Sequence, residues 1–359
     1  MGPAVRLLVL GASGQVGHAL TALHGSNTTR AAGDPLGRTS AASLATATVI
    51  GLTRGAADLA HPAAFSEQLR AAIFAHQPTH VINAAAYTAV DRAEQEPQLA
   101  QAINAEAVEA LGQTCQAAGV PVIHLSTDYV FDGRKPLGQA HLPQDTVNPQ
   151  GVYGRTKATG EKGFLAATAG HPALVFRTSW VFSAHGANFV KTMLALAVQR
   201  DELRVVNDQH GAPTSAEWLA QSLLQVCASW PAPQDAGSPR RGLFHLTASG
   251  HTTWHAFAQH LLAKARALAP EQPWRIQSDG QVLAVSTADY ERSMQALGRT
   301  APTAPRPANS VLDNSSTLAH FALVSCSEGR PDWASQLRPV LQALLTPTTS
   351  PHPSNPTPT

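Results

Sequence analysis

The segment "VRLLVLGASGQVGHALTALH", near the start of the chain, restricts the folds open to it more than any other. A short apolar run, Val5 to Leu10, ends in glycine and gives way to helical apolar spacing. An apolar run without polar alternation reads as a parallel strand buried on both faces. Gly11, Gly14 and Gly17 stand at the junction. Glycine there permits a tight turn and close approach of the backbone to a pyrophosphate. The helix that follows offers free N–H groups and a positive dipole end. The spacing is G-x-x-G-x-x-G, and alone it marks a plain strand–helix turn as readily as a dinucleotide site. Its place directly after a first strand favours the dinucleotide.

The alternation continues along the chain. "VIGLTR", "THVINAAAY", "VPVIHLST" and "PALVFRTSWVF" read as strands, and "PAAFSEQLRAAIFAHQP", "EPQLAQAINAEAVEALGQTCQAAG" and the stretch around Tyr153 as helices. Strands alternating with helices imply βαβ units, hence an α/β chain with a Rossmann-like doubly wound parallel sheet. Residues 1–178 are expected to form an NAD(P)-binding domain. Residues 179–345 are expected to be mainly a smaller α/β substrate-binding domain, with segments near 209–230 returning to the first. Residues 26–48 read as an irregular insertion, and a second insertion lies near 290–304. The Pro/Thr/Ser-rich tail, 346–359, has almost nothing to bury and is expected to be disordered.

Composition excludes several function classes. A net charge of +1 over 359 residues leaves no electrostatic footprint for nucleic acid or an anionic membrane. No apolar run approaches a membrane span or a secretory signal. Cys115, Cys227 and Cys326 are far apart and odd in number, which suits a reducing compartment. A cytoplasmic location is the expectation. His251 and His255 lie four apart, but neither H-E-x-x-H nor a third ligand accompanies them, so no metal site is assigned.

The chemistry gathers in two stretches. In "HLSTDYVFDG", Thr127 and Asp128 fall at the carboxyl end of a strand, the edge where open α/β sheets bind ligands. Capping a turn is the plainer reading of both. In "NPQGVYGRTKATGE", Tyr153 and Lys157 are four residues apart and share one helix face, with Cβ atoms about 6 Å apart. A lysine charge at that distance is worth roughly 3 kcal/mol at an effective dielectric of about 20. That predicts a phenol lowered by about two units and poised to hand a proton to a nascent alkoxide. After the second strand stand Thr53 and Arg54, with no acid before Asp58. Arg54 can meet a 2′-phosphate with its planar fork, so NADPH is expected over NADH.

The segments "GASGQVG", "VINAAAYTAVDRAEQEP", "STDYVFDG", "VYGRTKATGE", "FRTSWVF", "NDQHGAPT" and "RPANSVLD" follow one another from residue 5 to about 315. In this the chain resembles the extended short-chain dehydrogenase/reductases, and within them the dTDP-4-dehydrorhamnose reductase family. The resemblance implies reduction of the C4 ketone of dTDP-4-dehydro-L-rhamnose to give dTDP-L-rhamnose by a nicotinamide cofactor. It implies a catalytic set of Thr127, Tyr153 and Lys157, with Lys157 also on the nicotinamide ribose. Gly14, Gln15 and Val16 would hold the phosphates, and Asp58 and Leu59 would lie beside the adenine. Ala86, Tyr87 and Thr88 would border the nicotinamide, and Leu125 would line the cofactor. Thr127 and Asp128 would touch the sugar, and Trp180 would pack on it. Trp180 also reads as a core tryptophan, and Tyr87 as strand-end filler. Family members bind Mg²⁺ at a dimer contact, but no acidic pair in the sequence supports one here. Monomer and homodimer both remain open. Two rival activities share the motifs: reduction to the epimeric 6-deoxy-L-talose, and a regulatory subunit like the methionine adenosyltransferase beta subunit.

Overall fold

A computed structural model describes residues 5–25, 47–230, 240–298, 303–321, 323 and 331–346. The insertion at 26–46, residues 299–302 and the tail beyond 346 lie outside the described residues.

The strand Arg6–Leu10 buries four of its five side chains, as an apolar run without alternation requires. Leu7 and Val9 point into one apolar core, Leu8 and Leu10 into another, so the sheet carries a core on each face. Six strands make this sheet, in the order Arg241–His245, Ala173–Thr178, Val122–Thr127, His80–Asn83, Arg6–Leu10, Thr48–Leu52. Every pairing within it is parallel. From Arg6–Leu10 the chain first moves outward to Thr48–Leu52, then returns to the other side at His80–Asn83. That reversal is a topological switch point, where a crevice opens at the strand ends.

The second half gives more back to the first than residues 209–230. The helix Ala216–Ser229 puts Trp218, Leu219 and Leu223 into the core that also holds Leu7 and Leu20. The strand Arg241–His245 then adds the sixth sheet position, beside Ala173–Thr178. What remains has its own core, built from Phe182, Val190, Leu203, Phe257, Leu261, Trp274 and Leu337. A two-stranded parallel pair, Leu203–Val206 with Val282–Val285, and the helices Phe189–Ala197, Trp254–Leu268 and Trp333–Leu345 supply it. The stretch around residue 290 is partly helical, Thr287–Ala296.

The long helical pattern after Pro97 is not one regular helix. It holds a π-helical turn, Ala102–Glu106, before the helix Ala107–Ala118. The turn aims Asn104 at the loop after the strand His80–Asn83 and at the helix Val152–Ala167. Its Oδ1 accepts from Tyr87 N at 2.9 Å, while its Nδ2 donates to the Tyr87 carbonyl and to Thr156 Oγ1. The helix Val152–Ala167, which carries Tyr153 and Lys157, is thereby pinned beside the switch point. Cys115 and Cys227 are buried free thiols. Among the described residues no helix is long and apolar enough to cross a membrane.

Candidate active site

The glycine turn is shaped for close approach. Gly11 has φ +76°, and a Cβ on it would lie 2.7 Å from Ala85 N. A Cβ on Gly17 would lie 2.1 Å from the Gly11 carbonyl, so this glycine lets the helix Gln15–Gly25 pack onto its own turn. Gly14 N donates to Gly11 O, and His18 N donates to Gly14 O, which leaves the first-turn amides of Gln15, Val16 and Gly17 without helical acceptors. Amides and dipole together fit a pyrophosphate.

A cleft of about 530 Å³ runs from this turn along the switch point. Gly11, Gly14, Gln15 and Val16 line its middle, and Arg54, Asp58 and Leu59 line one end. Ala86, Thr88, Leu125, Tyr153 and Lys157 line the other. The structure thus brings most of the sequence-expected cofactor residues into one space. It adds Ser13, Ala57, Ile103, Ser126 and Thr178, and from the second half Val181, Gly186 and Ala187. Of these, Gly186 and Ala187 carry no motif signal, because only tertiary folding brings them there.

Two expected residues sit differently. Gly17 packs behind the turn rather than lining the cleft. Tyr87 also stays out of the lining: its hydroxyl donates to Glu96 at 2.5 Å, and Glu96 also holds Arg92. Asp58 is engaged by its own turn, where Oδ1 accepts from Ala60 N at 3.0 Å and Oδ2 meets His61. The Ala60 N–H is the main cause of a carboxyl held below its usual range.

At the catalytic end, Thr127 Oγ1 donates to Asp128 Oδ1 at 3.0 Å and accepts from Tyr129 N at 3.3 Å, and its side chain lies beside Tyr153. The Tyr153 ring packs edge-on against Tyr129, with centroids 5.5 Å apart. Asp128 is buried, and its Oδ2 has no partner in hydrogen-bonding geometry. Burial pushes its carboxyl up to about 6.

The expectation of a lowered Tyr153 is overturned. Burial pushes the phenol up to about 12, and the neighbouring Thr127 side chain opposes that only in part. The reason is where Lys157 points. Its Nζ donates to the Leu125 carbonyl at 2.7 Å and lies 3.2 Å from His124 Nε2, so its charge is turned toward the strand. Burial also brings Lys157 down to about 8. Helical spacing set the distance between the two Cβ atoms but not the direction of a long flexible side chain.

Comparison with known proteins agrees with this geometry. The family model described as "RmlD substrate binding domain" matches residues 5–346. The dTDP-4-dehydrorhamnose reductase of Escherichia coli K12 is 40% identical over 293 residues, 81% of this chain and 87% of that one. The enzyme of the same name from Burkholderia thailandensis is 36% identical over 92% of this chain and 95% of its own.

The chain belongs to the dTDP-4-dehydrorhamnose reductase family.

A solved dTDP-4-dehydrorhamnose reductase from Bacillus anthracis, in complex with NADP, superposes with a TM-score of 0.72 at 25% identity. It covers 94% of this chain and 98% of its own. The family resemblance read from the sequence therefore holds, and so does the α/β fold.

Beyond the cleft lies a second cavity, about 310 Å³, that sequence reading missed. Arg204, Arg306, Gln209, Phe189, Trp254 and Tyr290 are among its walls. Arg306 pairs with Asp91 at 3.0 Å, and Arg204 pairs with Glu202 at 3.1 Å. Trp180 packs against the wall of this second cavity through Trp254. Its ring stacks on Trp254 at 3.5 Å and 6°, while its backbone holds φ 47°, a strained left-handed value for a side chain of this size. Strain of this kind collects at functional sites and persists where packing enforces it. No group of three His, Cys, Asp or Glu able to hold a metal occurs among the described residues.

Proposed function

We propose that this chain reduces the C4 ketone of dTDP-4-dehydro-L-rhamnose to give dTDP-L-rhamnose, with NADPH as the preferred cofactor. The nicotinamide supplies the hydride. The observation that carries the reading is Tyr153 and Lys157 together in the lining of the cleft, with the Thr127 side chain beside the phenol. Held up to about 12, Tyr153 is fully protonated at neutral pH, the form an acid needs. It donates to the oxygen as that oxygen gains charge, and Thr127 donates to the same oxygen, where a fixed donor counts most. Asp128, with an unpartnered Oδ2, suits a sugar hydroxyl. Trp180, stacked on Trp254, would pack on the sugar, and the cavity that Trp254 lines, with two arginines and three aromatic rings, fits a nucleoside diphosphate. The test is NADPH oxidation with dTDP-4-dehydrorhamnose, followed by proton NMR of the product. The C4 coupling pattern separates rhamnose from 6-deoxytalose. Absence of turnover would leave only a regulatory role.

Cofactor choice rests on Arg54. It lines the cleft, no carboxylate stands at the end of Thr48–Leu52, and Asp58 is held by Ala60 and His61. One charge-assisted contact of about 1.5–3 kcal/mol corresponds to about tenfold to a hundredfold preference for NADPH in kcat/KM. Arg54→Ala should erase that preference by weakening NADPH while leaving NADH unchanged. A preference that survives the substitution would refute the contact.

A further inference from the structure

His124 is fully buried in the middle of the strand Val122–Thr127. The reduction chemistry assigns it no part, yet its two ring nitrogens face named groups. Nδ1 lies 3.1 Å from Asn83 Nδ2, and Nε2 lies 3.2 Å from Lys157 Nζ. The orientation of Asn83 is fixed independently, because its Oδ1 accepts from Ala85 N at 3.0 Å. The amide nitrogen therefore faces the imidazole and donates to it. Nδ1 must then carry the lone pair, and the single proton of the neutral ring sits on Nε2. Burial, reinforced by the charge of Lys157, holds His124 well below its usual range, so the ring is neutral.

An Nε2–H aimed at Nζ has a consequence for Lys157. An ammonium has only donors, so it cannot satisfy that N–H, whereas a neutral amine can. The Leu125 carbonyl is the acceptor available to Nζ on this strand. The charged and titratable neighbours are few. Glu161 favours the ammonium from one turn along the same helix, but it is engaged by Arg177 and Ser126. Tyr153 lies one turn the other way, and Asp128 follows the strand.

We propose that His124, fixed by Asn83 as the Nε2–H tautomer, is a positioning residue that leaves the Lys157 ammonium a single acceptor on the strand, the Leu125 carbonyl, and so keeps it ready to turn to the cofactor cleft. This rests on reading Tyr153 and Lys157 as the catalytic pair. The lysine is then ready to swing onto the ribose hydroxyls and the phenol when a cofactor enters. Its alkaline limit is set by the ring behind it.

The test combines spectra with a pH profile. In the free enzyme, ¹⁵N imidazole spectra should show a neutral Nε2–H ring that disappears in His124→Gln. Reduction by the parent should fall above about pH 8, where Lys157 loses its proton. The glutamine carbonyl can turn to Nζ and give the ammonium an acceptor, so the alkaline limb of kcat/KM should move up by about one pH unit. Asn83→Asp keeps His124 but accepts from both Ala85 N and Nδ1. It reverses the tautomer and should move the limb the same way, which keeps the test open if the glutamine variant folds poorly. An Nδ1–H or doubly protonated ring in the parent, or a limb unmoved in a folded variant, would overturn the proposal. A parent that fails to reduce the keto-sugar would reject the functional reading instead, and the imidazole spectrum would then decide this proposal alone.

Discussion

Replacing Tyr153 with phenylalanine should lower kcat by about 10²- to 10⁴-fold, the usual worth of one positioned proton donor. The ring should stay where it is. It packs edge-on against Tyr129, and removing one hydroxyl leaves that contact intact. Burial holds the phenol up to about 12, so the parent carries its proton at every ordinary assay pH. The variant therefore loses the acid at all pH values, and no change of buffer should restore it. NADPH affinity should change little, because Lys157 and the glycine turn are untouched. Single-turnover kinetics with saturating NADPH isolates the chemical step. A near-normal rate would mean that the proton comes from elsewhere.

The second large effect is on stability. Arg177 and Glu161, both almost fully buried, form a two-pronged pair, with Nε to Oε1 at 2.8 Å and Nη2 to Oε2 at 2.6 Å. Ser126 Oγ donates to the same carboxylate at 2.5 Å, and the guanidinium lies 4.9 Å over the Phe131 ring. Arg177→Met would strand the Glu161 charge in the interior. Breaking a buried pair from one side costs about 3–5 kcal/mol, whereas replacing both members with apolar residues is often close to neutral. Against a total of about 5–15 kcal/mol, the single change should nearly unfold the protein. The double variant Arg177→Met, Glu161→Leu should recover most of the loss in urea titrations. A single variant as stable as the double one would show that the pair is not what holds this region.

The parts of the site that sequence made legible are those that depend on neighbours in the chain. Gly11, Gly14 and Gly17 report a turn, and a turn is local. Tyr153 and Lys157 share a face because helix geometry fixes it. The parts that escaped depend on distant partners. Lys157 turns toward His124 and Leu125 on a strand more than thirty residues away, which helical spacing does not encode. Tyr87 looked like a nicotinamide neighbour, yet its hydroxyl found Glu96. Arg306 stood inside a recognised motif without a role until folding set it against Asp91 in the second cavity. The place of Arg241–His245 in the main sheet was not legible, because parallel neighbours can come from any point in a chain.

The stacked pair of Trp180 and Trp254 has a consequence in optics. Two indoles 3.5 Å apart and nearly parallel share their electronic excitation rather than absorb as separate dyes. One ring belongs to the turn after the strand Ala173–Thr178, the other to the first residue of the helix Trp254–Leu268. A small change in the angle between those two elements alters the handedness and strength of the shared transition. One wall of the second cavity thus carries an intrinsic chromophore whose circular dichroism follows its shape, with no label added.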